Sequence, residues 1–433
     1  MHVITRFPPS PTGFFHIGSA RTALFNYLFA KKHGSTMHLR FEDTDRDRSK
    51  TEYEDDIISG LAWLGISYAP EVTRQSERLE KYRPYIAKLL ESGAAYEAEP
   101  SEGDPAKKAV RFKNPNTTIT FSDAIRGDVS FDTTELKDFV IAKSVEEPLY
   151  HLAVVIDDHD MEITHVIRGE DHLSNTQRQI LIMEALGFAR PVYAHMPLIL
   201  GSDRSKLSKR NFAASVNDYR ILGYKPEAFL NYLALLGWTP PSGKEKLSLD
   251  EMVAEFELSD IHKSGAMFDM EKLKWLNREY LLEMPEPLFE DEVRQRTSTL
   301  DWEMTKKLTP FVRERIHTWS DLKNLAGEYG YCYAPPTLDP KEISGKNTDA
   351  EGAARHLEEL GHMLKTASFE NADSVKTAVW DYATKEGRGA VLWPLRYALS
   401  GRTRSLDPFA IATILGKEKT LKRIDVALDI LKE

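Results

Sequence analysis

The sequence predicts an α/β fold, in which a parallel sheet with flanking helices is followed by a helical C-terminal region. In the first half of the chain, short apolar strand patterns alternate with longer helical patterns, as in βαβ units. Beyond residue 215 the patterns are almost all helical. A chain of 433 residues is also too long for one hydrophobic core, so we expect two to four domains.

The first strand and the first helix are joined by a loop dense in Pro, Ser, Thr and Gly. The helical pattern covers residues 20–33 and ends at Gly34. A strand, a loop of small residues and a helix commonly form a phosphate or nucleotide site. The loop lacks the G-x-G-x-x-G and G-x-x-x-x-G-K-[ST] patterns, which disfavours a dinucleotide enzyme and a P-loop NTPase. We therefore predict a nucleotide site in which His16 faces the phosphates and Gly18 permits close approach.

The second strand is predicted over residues 37–41, where apolar and polar side chains alternate. The charged stretch 42–47 follows at its C-terminal end, which is where ligands collect in open α/β sheets. Helical patterns over residues 52–64 and 77–92 complete a βαβα arrangement.

The character of the sequence changes after the second of these helices. Residues 97–105 are polar and broken, and they indicate the start of an insertion that runs to about residue 145.

Sheet character returns after the insertion. We predict strands over residues 149–156 and 162–168, followed by a helix over residues 173–186. Asp157 and Asp158 lie between the two strands, and we interpret them as part of a hairpin turn rather than as metal ligands.

A lysine-rich loop, Lys-Leu-Ser-Lys-Arg, occupies residues 206–210. Basic surface loops are common, and a lone histidine such as His16 is more often a packed or surface residue. Together, however, a histidine at the start of a helix and a basic loop after a distant strand can close on one triphosphate. They would give donors to an α-phosphate under attack and to the departing pyrophosphate, which is the main task in adenylyl transfer.

The composition disfavours several classes of protein. The hydrophobic content of 41% and the charged content of 29% are ordinary for a soluble globular protein. No apolar run approaches the roughly 20 residues of a membrane span, and no signal-peptide pattern begins the sequence. The single cysteine, Cys332, excludes an internal disulfide framework and any zinc site built on two thiolates. We expect a cytoplasmic protein without a membrane segment.

The charge is acidic overall, with a net value of −10, which disfavours nonspecific binding to DNA. The segment 385–433 is locally basic, with ten Lys/Arg against six Asp/Glu. That surface is either an RNA-binding face or an ordinary solvated surface of mixed charge.

Five motifs follow one another in a fixed order. They are Pro-Ser-Pro-Thr-Gly with His-Ile-Gly over residues 9–18, Arg-Phe-Glu-Asp-Thr-Asp over 40–45, Val-Ile-Arg-Gly-Glu-Asp-His over 166–172, the loop 206–210, and Asn-Tyr-Leu-Ala-Leu-Leu-Gly-Trp over 231–238. This order resembles that of the bacterial-type glutamyl-tRNA synthetases, a family of class I aminoacyl-tRNA synthetases. Residues 393–401 and 415–418 resemble the anticodon-binding domain of the same family, so the resemblance covers nearly the whole chain.

The resemblance implies a class I synthetase Rossmann-type parallel sheet with an α+β insertion, followed by an all-α anticodon-binding region. Some members of the family carry a Cys-rich zinc site in the insertion, but residues 96–112 contain no cysteine, so we expect no zinc here. The implied segments are residues 1–95 and 146–200 for the two halves of the catalytic domain, 96–145 for a short insertion that binds the acceptor end, 201–285 for a stem-contact region with the basic loop, and 286–345 and 346–433 for two helical anticodon-binding subdomains.

Residues 9–19 resemble the HIGH signature of class I enzymes, and residues 206–210 resemble the KMSKS loop. The resemblance implies three catalytic residues: His16 contacts the ATP phosphates, Lys209 stabilises the pyrophosphate in the transition state, and Lys206 assists. Ser19 stands where many class I enzymes have a second histidine. The residues implied to bind ATP, which enters with Mg²⁺, are Pro9, Thr12, Gly13, His16, Gly18, Asp171, Lys206, Ser208 and Lys209.

The substrate implied is L-glutamate, which brings an α-ammonium group and two carboxylates. An ammonium group needs an acidic partner and a carboxylate needs arginine. Five residues lie at positions that resemble the family's pocket, with Glu42 for the ammonium group and two arginines for carboxylate: Arg6, Ser10, Glu42, Tyr150 and Arg168. Such a site should reject glutamine, because the missing charge leaves an arginine unpaired.

The implied reaction joins glutamate to tRNA(Glu) in two steps through glutamyl-adenylate. Arg396, Arg402 and Arg404 are candidates for contacts with the tRNA backbone, and we expect a monomer. The glutaminyl enzymes usually have Pro-Asn-Gly where residues 11–13 are Pro-Thr-Gly, and a β-rich C-terminal half. A truncated relative that modifies a tRNA base lacks the anticodon-binding region. An enzyme that also charges tRNA(Gln), and a noncatalytic tRNA-binding paralogue, stay open as alternatives.

Overall fold

The computed structural model describes residues 2–98, 108–201, 203–205 and 215–432. The chain divides into two compact units, Met1–Tyr280 and Leu281–Glu433. Within the described ranges, no helix is long and apolar enough to cross a membrane.

The first three strands of the first unit form a parallel sheet, and the predicted βαβα arrangement is confirmed. Helix α1 is buried almost all round, from Ala20 to Ala30 apart from Thr22, because it packs between the sheet and later helices of the unit. The sheet order is β1-β2-β3. The elements are β1 (Thr5–Phe7), α1 (Ile17–Lys32), β2 (Met37–Phe41), α2 (Thr51–Trp63), β3 (Val72–Arg74) and α3 (Leu79–Glu91).

The insertion between the two halves of the sheet is mostly β-structure in its described residues. Four of its strands form an antiparallel sheet of order β4-β5-β8-β9. The other two form a hairpin whose first strand pairs in parallel with β11 of the main sheet, through Asp123 and Tyr193. The strands are β4 (Ala95–Ala98), β5 (Ala109–Phe112), β6 (Thr118–Asp123), β7 (Gly127–Asp132), β8 (Phe139–Ser144) and β9 (Glu147–Pro148).

The second half of the main sheet adds two parallel strands, β10 and β11. It joins the first half where the carbonyl oxygen of Ile4 accepts hydrogen bonds from the N–H groups of Thr164, at 3.0 Å, and His165, at 3.2 Å. The predicted helix over 173–186 is confirmed, and Gly187 caps it with a φ of 76°. The elements are α4 (Tyr150–Asp160), β10 (His165–Gly169), α5 (Leu173–Leu186), β11 (Val192–Met196) and β12 (Ile199–Leu200).

The predicted strand over residues 149–156 is wrong, because Tyr150–Asp160 form helix α4. Residues 152–158 are all buried. A helix buried on every side shows the same unbroken apolar run as a buried strand, so periodicity could not separate the two. The predicted hairpin turn at Asp157 and Asp158 is therefore also wrong, since both lie inside the helix.

The rest of the first unit is mainly helical. Helices α6 and α8 begin with capping boxes at Ser215 and Ser248, in which the cap residue and an acidic residue three positions later satisfy each other's backbone N–H. The elements are α6 (Val216–Ile221), α7 (Pro226–Leu235), α8 (Leu249–Glu255), β13 (Ala266–Met267), which pairs in parallel with β12, and α9 (Met270–Leu282).

The second unit is helical in its described residues, as predicted. Cys332 is buried in its core, and burial raises the pKa of the thiol to about 12. The last helix is broken at Gly416, which has a φ of 79° and a ψ of 169° that suit glycine. The helices are α10 (Glu286–Arg296), α11 (Trp302–Arg313), α12 (Leu325–Tyr333), α13 (Pro340–Ile343), α14 (Ala350–Thr366), α15 (Ala372–Glu386), α16 (Arg388–Ser400) and α17 (Pro408–Lys432).

Candidate active site

His16 is exposed and caps the N-terminus of helix α1. Its Nδ1 atom accepts a hydrogen bond from the N–H of Ser19 at 3.3 Å, and its Nε2 atom lies 3.0 Å from the hydroxyl of the same residue. A Cβ atom added at Gly18 would lie 3.2 Å from Cε1 and Nδ1 of the His16 ring. A side chain at position 18 would therefore press on the exposed imidazole and shift it.

The loop after β1 is tied to the second strand and the second helix. The N–H of Glu42 donates to the carbonyl oxygen of Pro9 at 2.9 Å, and the N–H of Phe15 donates to Asp56 Oδ2 at 2.7 Å. Ser10 and Thr12 are exposed along this loop. A Cβ atom at Gly13 would meet nothing within 4 Å, so a side chain there would project into open space.

A cluster of buried charged side chains lies where the first two strands meet helix α4. Arg6 Nε is 3.1 Å from Asp158 Oδ1, and the same oxygen accepts from Arg40 Nη1 at 2.7 Å. Arg40 Nη2 donates to Glu42 Oε1 at 3.1 Å. Asp157, the neighbouring buried carboxylate, accepts instead from Gln75, Arg78 and Tyr82. The two aspartates therefore fix Arg6 and Arg40 within β1 and β2, and Arg78 beyond β3.

The pKa values of two carboxyl groups in this cluster, Glu42 and Asp158, are shifted in opposite directions. Burial raises the pKa of Glu42 to about 7, although Arg40 and Arg6 oppose the shift. Burial also disfavours the charged form of Asp158, but Arg6 and Arg40 outweigh it and hold the pKa of that carboxyl below its usual range. Asp158 is therefore ionised at neutral pH, whereas Glu42 is poised near its midpoint.

Tyr150 and Arg168 complete the predicted glutamate-binding set. Burial raises the pKa of Tyr150 to about 12, the charge of Glu42 adds to the shift, and Arg168 and Arg6 oppose it. The structure therefore brings Arg6, Glu42 and Arg168 within electrostatic reach of Tyr150. Ser10 lies on the exposed loop, where its carbonyl oxygen accepts from the N–H of Thr12 at 2.9 Å.

Arg168 is buried among neutral partners. Its Nε donates to His195 Nε2 at 3.1 Å, and its Nη2 donates to Thr176 Oγ1 at 2.8 Å. The ring of Tyr193 lies 5.9 Å from its guanidinium carbon. Burial lowers the pKa of Arg168, and Arg6 lowers it further. Burial of a cation whose hydrogen-bond partners within the described ranges are all neutral is costly.

Asp171 and the basic loop belong to the predicted ATP site. Asp171 is exposed just beyond β10, and a Cβ atom added at Gly169 would collide with its carboxylate. Burial lowers the pKa of Arg21 on α1 to about 10, and the charges of Glu170 and Asp171 partly oppose that shift. Lys206, Ser208 and Lys209 lie outside the described residues. No group of three metal-ligating side chains occurs in the parts of the chain that the structure describes.

Asp123, Asp158 and His195 are buried residues of this site to which the sequence assigned no role. For Asp158, the sequence offers one signal, which is its position at the end of an apolar run, but that position is equally typical of a turn. His195 and Asp123 are 72 positions apart, so no local pattern links them.

The predicted tRNA contacts lie in the second unit. Arg396 stacks on Trp393, with 4.7 Å between its guanidinium carbon and the ring centre, and donates to the Thr403 carbonyl at 2.9 Å. Arg402 donates to the Gly327 carbonyl at 2.6 Å and is exposed. Arg404 is also exposed. Their roles in binding tRNA stay predictions.

Comparisons with known proteins agree along the whole chain. Residues 2–104 and 97–275 match the family described as tRNA synthetases class I (E and Q), catalytic domain, and residues 274–428 match the family described as anticodon binding domain. Glutamate–tRNA ligase 1 of Rubrobacter xylanophilus is 44% identical over 439 residues, which cover 98% of this chain and 97% of the relative. The glutamate–tRNA ligase of Aquifex aeolicus is 42% identical over 470 residues and 98% of both chains.

The solved structures give the same result. A crystal structure of a glutamate tRNA ligase from Elizabethkingia meningosepticum, in complex with its amino acid, superposes with a TM-score of 0.87. The two sequences are 32% identical, and the match covers 99% of each chain.

Proposed function

Because this chain belongs to the class I tRNA synthetases that act as glutamate–tRNA ligases, we propose that its buried charges between β1, β2, α4 and β10 form the glutamate pocket. The enzyme activates L-glutamate with ATP and transfers it to the 3′ end of tRNA(Glu). The assignment of the individual residues is our proposal.

The observation that carries the pocket is a buried arginine without a carboxylate in hydrogen-bond contact. Arg6 and Arg40 pair with Asp158, Asp157 and Glu42, whereas Arg168 has only neutral hydrogen-bond partners among the described residues. The Nη1 atom of Arg6 is also buried and has no hydrogen-bond partner in the described ranges. A substrate carboxylate would satisfy both deficits at once.

The other polar groups fit the rest of the amino acid. Ionised Glu42 would bind the α-ammonium group, and Arg6 and Arg168 would supply the charge for carboxylate. The Tyr150 hydroxyl, which lies 3.0 Å from His172 Nδ1, would contact the substrate from helix α4. Ser10 would reach it from the exposed loop. Glutamine would leave an arginine without its anion, so the pocket should reject it.

The ATP site is proposed beside this pocket, at the start of α1. His16, with Lys209 and Lys206 from the basic loop, would stabilise charge as the α-carboxylate of glutamate attacks the α-phosphorus and pyrophosphate leaves with Mg²⁺. The other proposed ATP contacts are Pro9, Thr12, Gly13, Gly18, Asp171 and Ser208. Neither step needs a protein nucleophile, because positioning and charge supply the rate.

In the second step, the terminal ribose hydroxyl of the tRNA attacks the carbonyl carbon of glutamyl-adenylate, and AMP leaves. We propose that the insertion 96–145 binds the acceptor end and that Arg396, Arg402 and Arg404 contact the tRNA backbone. The segment boundaries within the two units, the monomeric state, the absence of zinc and the cytoplasmic location stay predictions from the sequence.

The decisive experiment is pyrophosphate exchange by purified protein with glutamate, ATP and tRNA(Glu), followed by charging of tRNA(Glu) and tRNA(Gln) in parallel. Exchange and charging of tRNA(Glu) alone would support a discriminating enzyme. Charging of both tRNAs would identify the nondiscriminating alternative. Binding of tRNA without any exchange would overturn the proposal in favour of a noncatalytic paralogue.

A further inference from the structure

The hairpin β6–β7 of the insertion reaches the candidate glutamate pocket through two hydrogen bonds in series. We infer that His195 is a positioning residue that fixes the direction of the Arg168 guanidinium, and that Asp123 at the end of β6 fixes His195 in turn. The inference rests on the proposed role of Arg168 in binding glutamate. If the inference is right, the hairpin helps to shape the amino-acid pocket, in addition to its proposed contact with the acceptor end of the tRNA.

The chemistry of arginine gives the direction of the first hydrogen bond in this series. An arginine can only donate, so His195 Nε2 accepts from Arg168 Nε across the 3.1 Å between them. Thr176 Oγ1 also lies 3.1 Å from His195 Nε2, and its hydroxyl can donate to the same nitrogen. The His195 ring is then neutral and carries its proton on Nδ1. That proton is donated to Asp123 Oδ2, which lies 2.6 Å away. The arrangement fails if His195 takes the other tautomer, because an N–H would then face the guanidinium.

Asp123 is held in place by backbone donors. Its Oδ1 atom accepts from the N–H groups of Ile125, at 3.0 Å, and Arg126, at 2.9 Å, in the turn that follows β6. Its Oδ2 atom also accepts from the N–H of His195 at 3.2 Å. The side chains of Asp123 and His195 are both fully buried. A carboxylate fixed in this way can select one tautomer of the imidazole.

We call the series Arg168–His195–Asp123 the relay. The hairpin is anchored to the main sheet on either side of it. Arg126 donates through Nε to the carbonyl oxygen of His195 at 3.3 Å, and its guanidinium pairs with Glu170, two residues beyond Arg168. Glu170 in turn accepts from the N–H of Leu198 at 2.9 Å. A displacement of the hairpin would therefore move the partners of Arg168, which gives the acceptor-end element a route to the glutamate pocket.

The test compares three substitutions by pyrophosphate exchange with saturating ATP and tRNA(Glu). His195→Leu removes the acceptor, and we expect the KM for glutamate to rise about ten- to a hundredfold, as for the loss of a hydrogen bond to a charged group. The KM for ATP should change less than about threefold. His195→Gln should restore most of the affinity, because its carbonyl oxygen can accept from Arg168 while its amide donates to Asp123.

Asp123→Asn tests the tautomer. The Asn oxygen would be kept at the position that accepts from Ile125 and Arg126, so its amide would face His195 Nδ1 and force the proton onto Nε2. We expect a rise in the KM for glutamate similar to that of His195→Leu. This variant also decides the matter if His195→Leu does not fold, since a wild-type KM in folded Asp123→Asn would overturn the relay.

His165→Leu is the matched control. His165 is also a buried histidine, at the start of β10, where its ring contacts Thr164 and Phe29 away from the pocket. We expect an unchanged KM for glutamate. If this control raises the KM as much as His195→Leu does, the effect is general loosening of the sheet and the relay is wrong.

Arg168→Gln separates the relay from the proposed pocket. If Arg168→Gln leaves the KM for glutamate unchanged, the assignment of the pocket itself fails. If Arg168→Gln raises the KM and His195→Leu does not, the pocket stands and the relay fails. If both are right, the double variant should be no worse than Arg168→Gln alone, because His195 acts through the missing arginine.

Discussion

Asp158 Oδ1 lies 3.1 Å from Arg6 Nε, so a carboxylate in helix α4 holds an arginine of the first strand. The same oxygen accepts from Arg40 Nη1. The carboxylate is ionised and almost completely buried, and it separates two guanidinium groups that would otherwise repel each other.

Replacement of Asp158 should therefore damage both stability and substrate binding. In Asp158→Asn the two buried arginines lose their shared counter-charge, and we expect a loss of about 3 kcal/mol in the free energy of unfolding together with a raised KM for glutamate. Unfolding in urea, followed by circular dichroism, measures the first effect. Asp160→Asn, in the same helix but partly exposed, should cost less than about 1 kcal/mol. Equal losses in the two variants would contradict the role given to Asp158.

The KM for glutamate should depend on pH through Glu42. Its pKa is raised to about 7, and only the ionised form attracts an ammonium group. As the pH falls from 8 to 6, the ionised fraction falls and the KM should rise about tenfold. The nearby His172 and His151 do not titrate in this range, because burial first, and then neighbouring arginines, lower the pKa of each to about 4.

The control for this pH dependence is Glu42→Gln, in which the KM should be high at every pH and nearly flat between pH 6 and 8. Initial rates of pyrophosphate exchange at varied glutamate concentration give both profiles. A flat profile in the unmodified enzyme would show that Glu42 does not bind the ammonium group.

Gly18→Ala should separate activity from stability. The new methyl group would push the His16 ring, which is exposed and can move, so we expect exchange to slow by about tenfold. Alanine suits a helix better than glycine does, so the thermal midpoint should hold or rise. Gly361→Ala in α14, whose methyl group would meet only Ile424 at 3.7 Å, should leave exchange unchanged. Undiminished exchange in Gly18→Ala would show that the rate does not depend on the position of the His16 ring.

Lys209→Ala tests the basic loop. We expect the kcat of pyrophosphate exchange to fall by about 10²–10³, as for the loss of one preorganised donor in the transition state, with little change in the KM for glutamate. Lys81→Ala, an exposed lysine of α3, is the control and should behave like the unmodified enzyme. Activation at a near-normal rate in Lys209→Ala would show that the loop does not stabilise the departing pyrophosphate.

Local patterns were sufficient for most of the fold. Strand β2 and helix α5 have the predicted bounds, because each is limited by polar or glycine residues at its ends. Helix α4 was missed because Val154, Val155 and Ile156 favour strands and are buried on all sides. Because of that one error, the buried ion pairs of Asp158 could not be predicted. A carboxylate in a turn is solvated, whereas one in a buried helix needs a charged partner.

The motifs predicted which side chains would form the candidate pocket, but not which buried residues position those side chains. Arg6, Glu42 and Arg168 lie at strand ends, where the topology of a parallel sheet collects ligands, so their proximity could be predicted. His195 and Asp123 could not be assigned in the same way. Their contact depends on a single pairing between β6 and β11, which no periodicity in either segment announces.

The burial of Cys332 has a practical consequence for experiments on tRNA binding. Thiol-specific dyes react with the thiolate, and a buried thiol with a pKa of about 12 supplies almost none at neutral pH. The chain contains no other cysteine. A cysteine introduced at the exposed Thr403, between Arg402 and Arg404, would therefore carry the only fluorophore, and its emission could report the arrival of tRNA without prior removal of the native thiol.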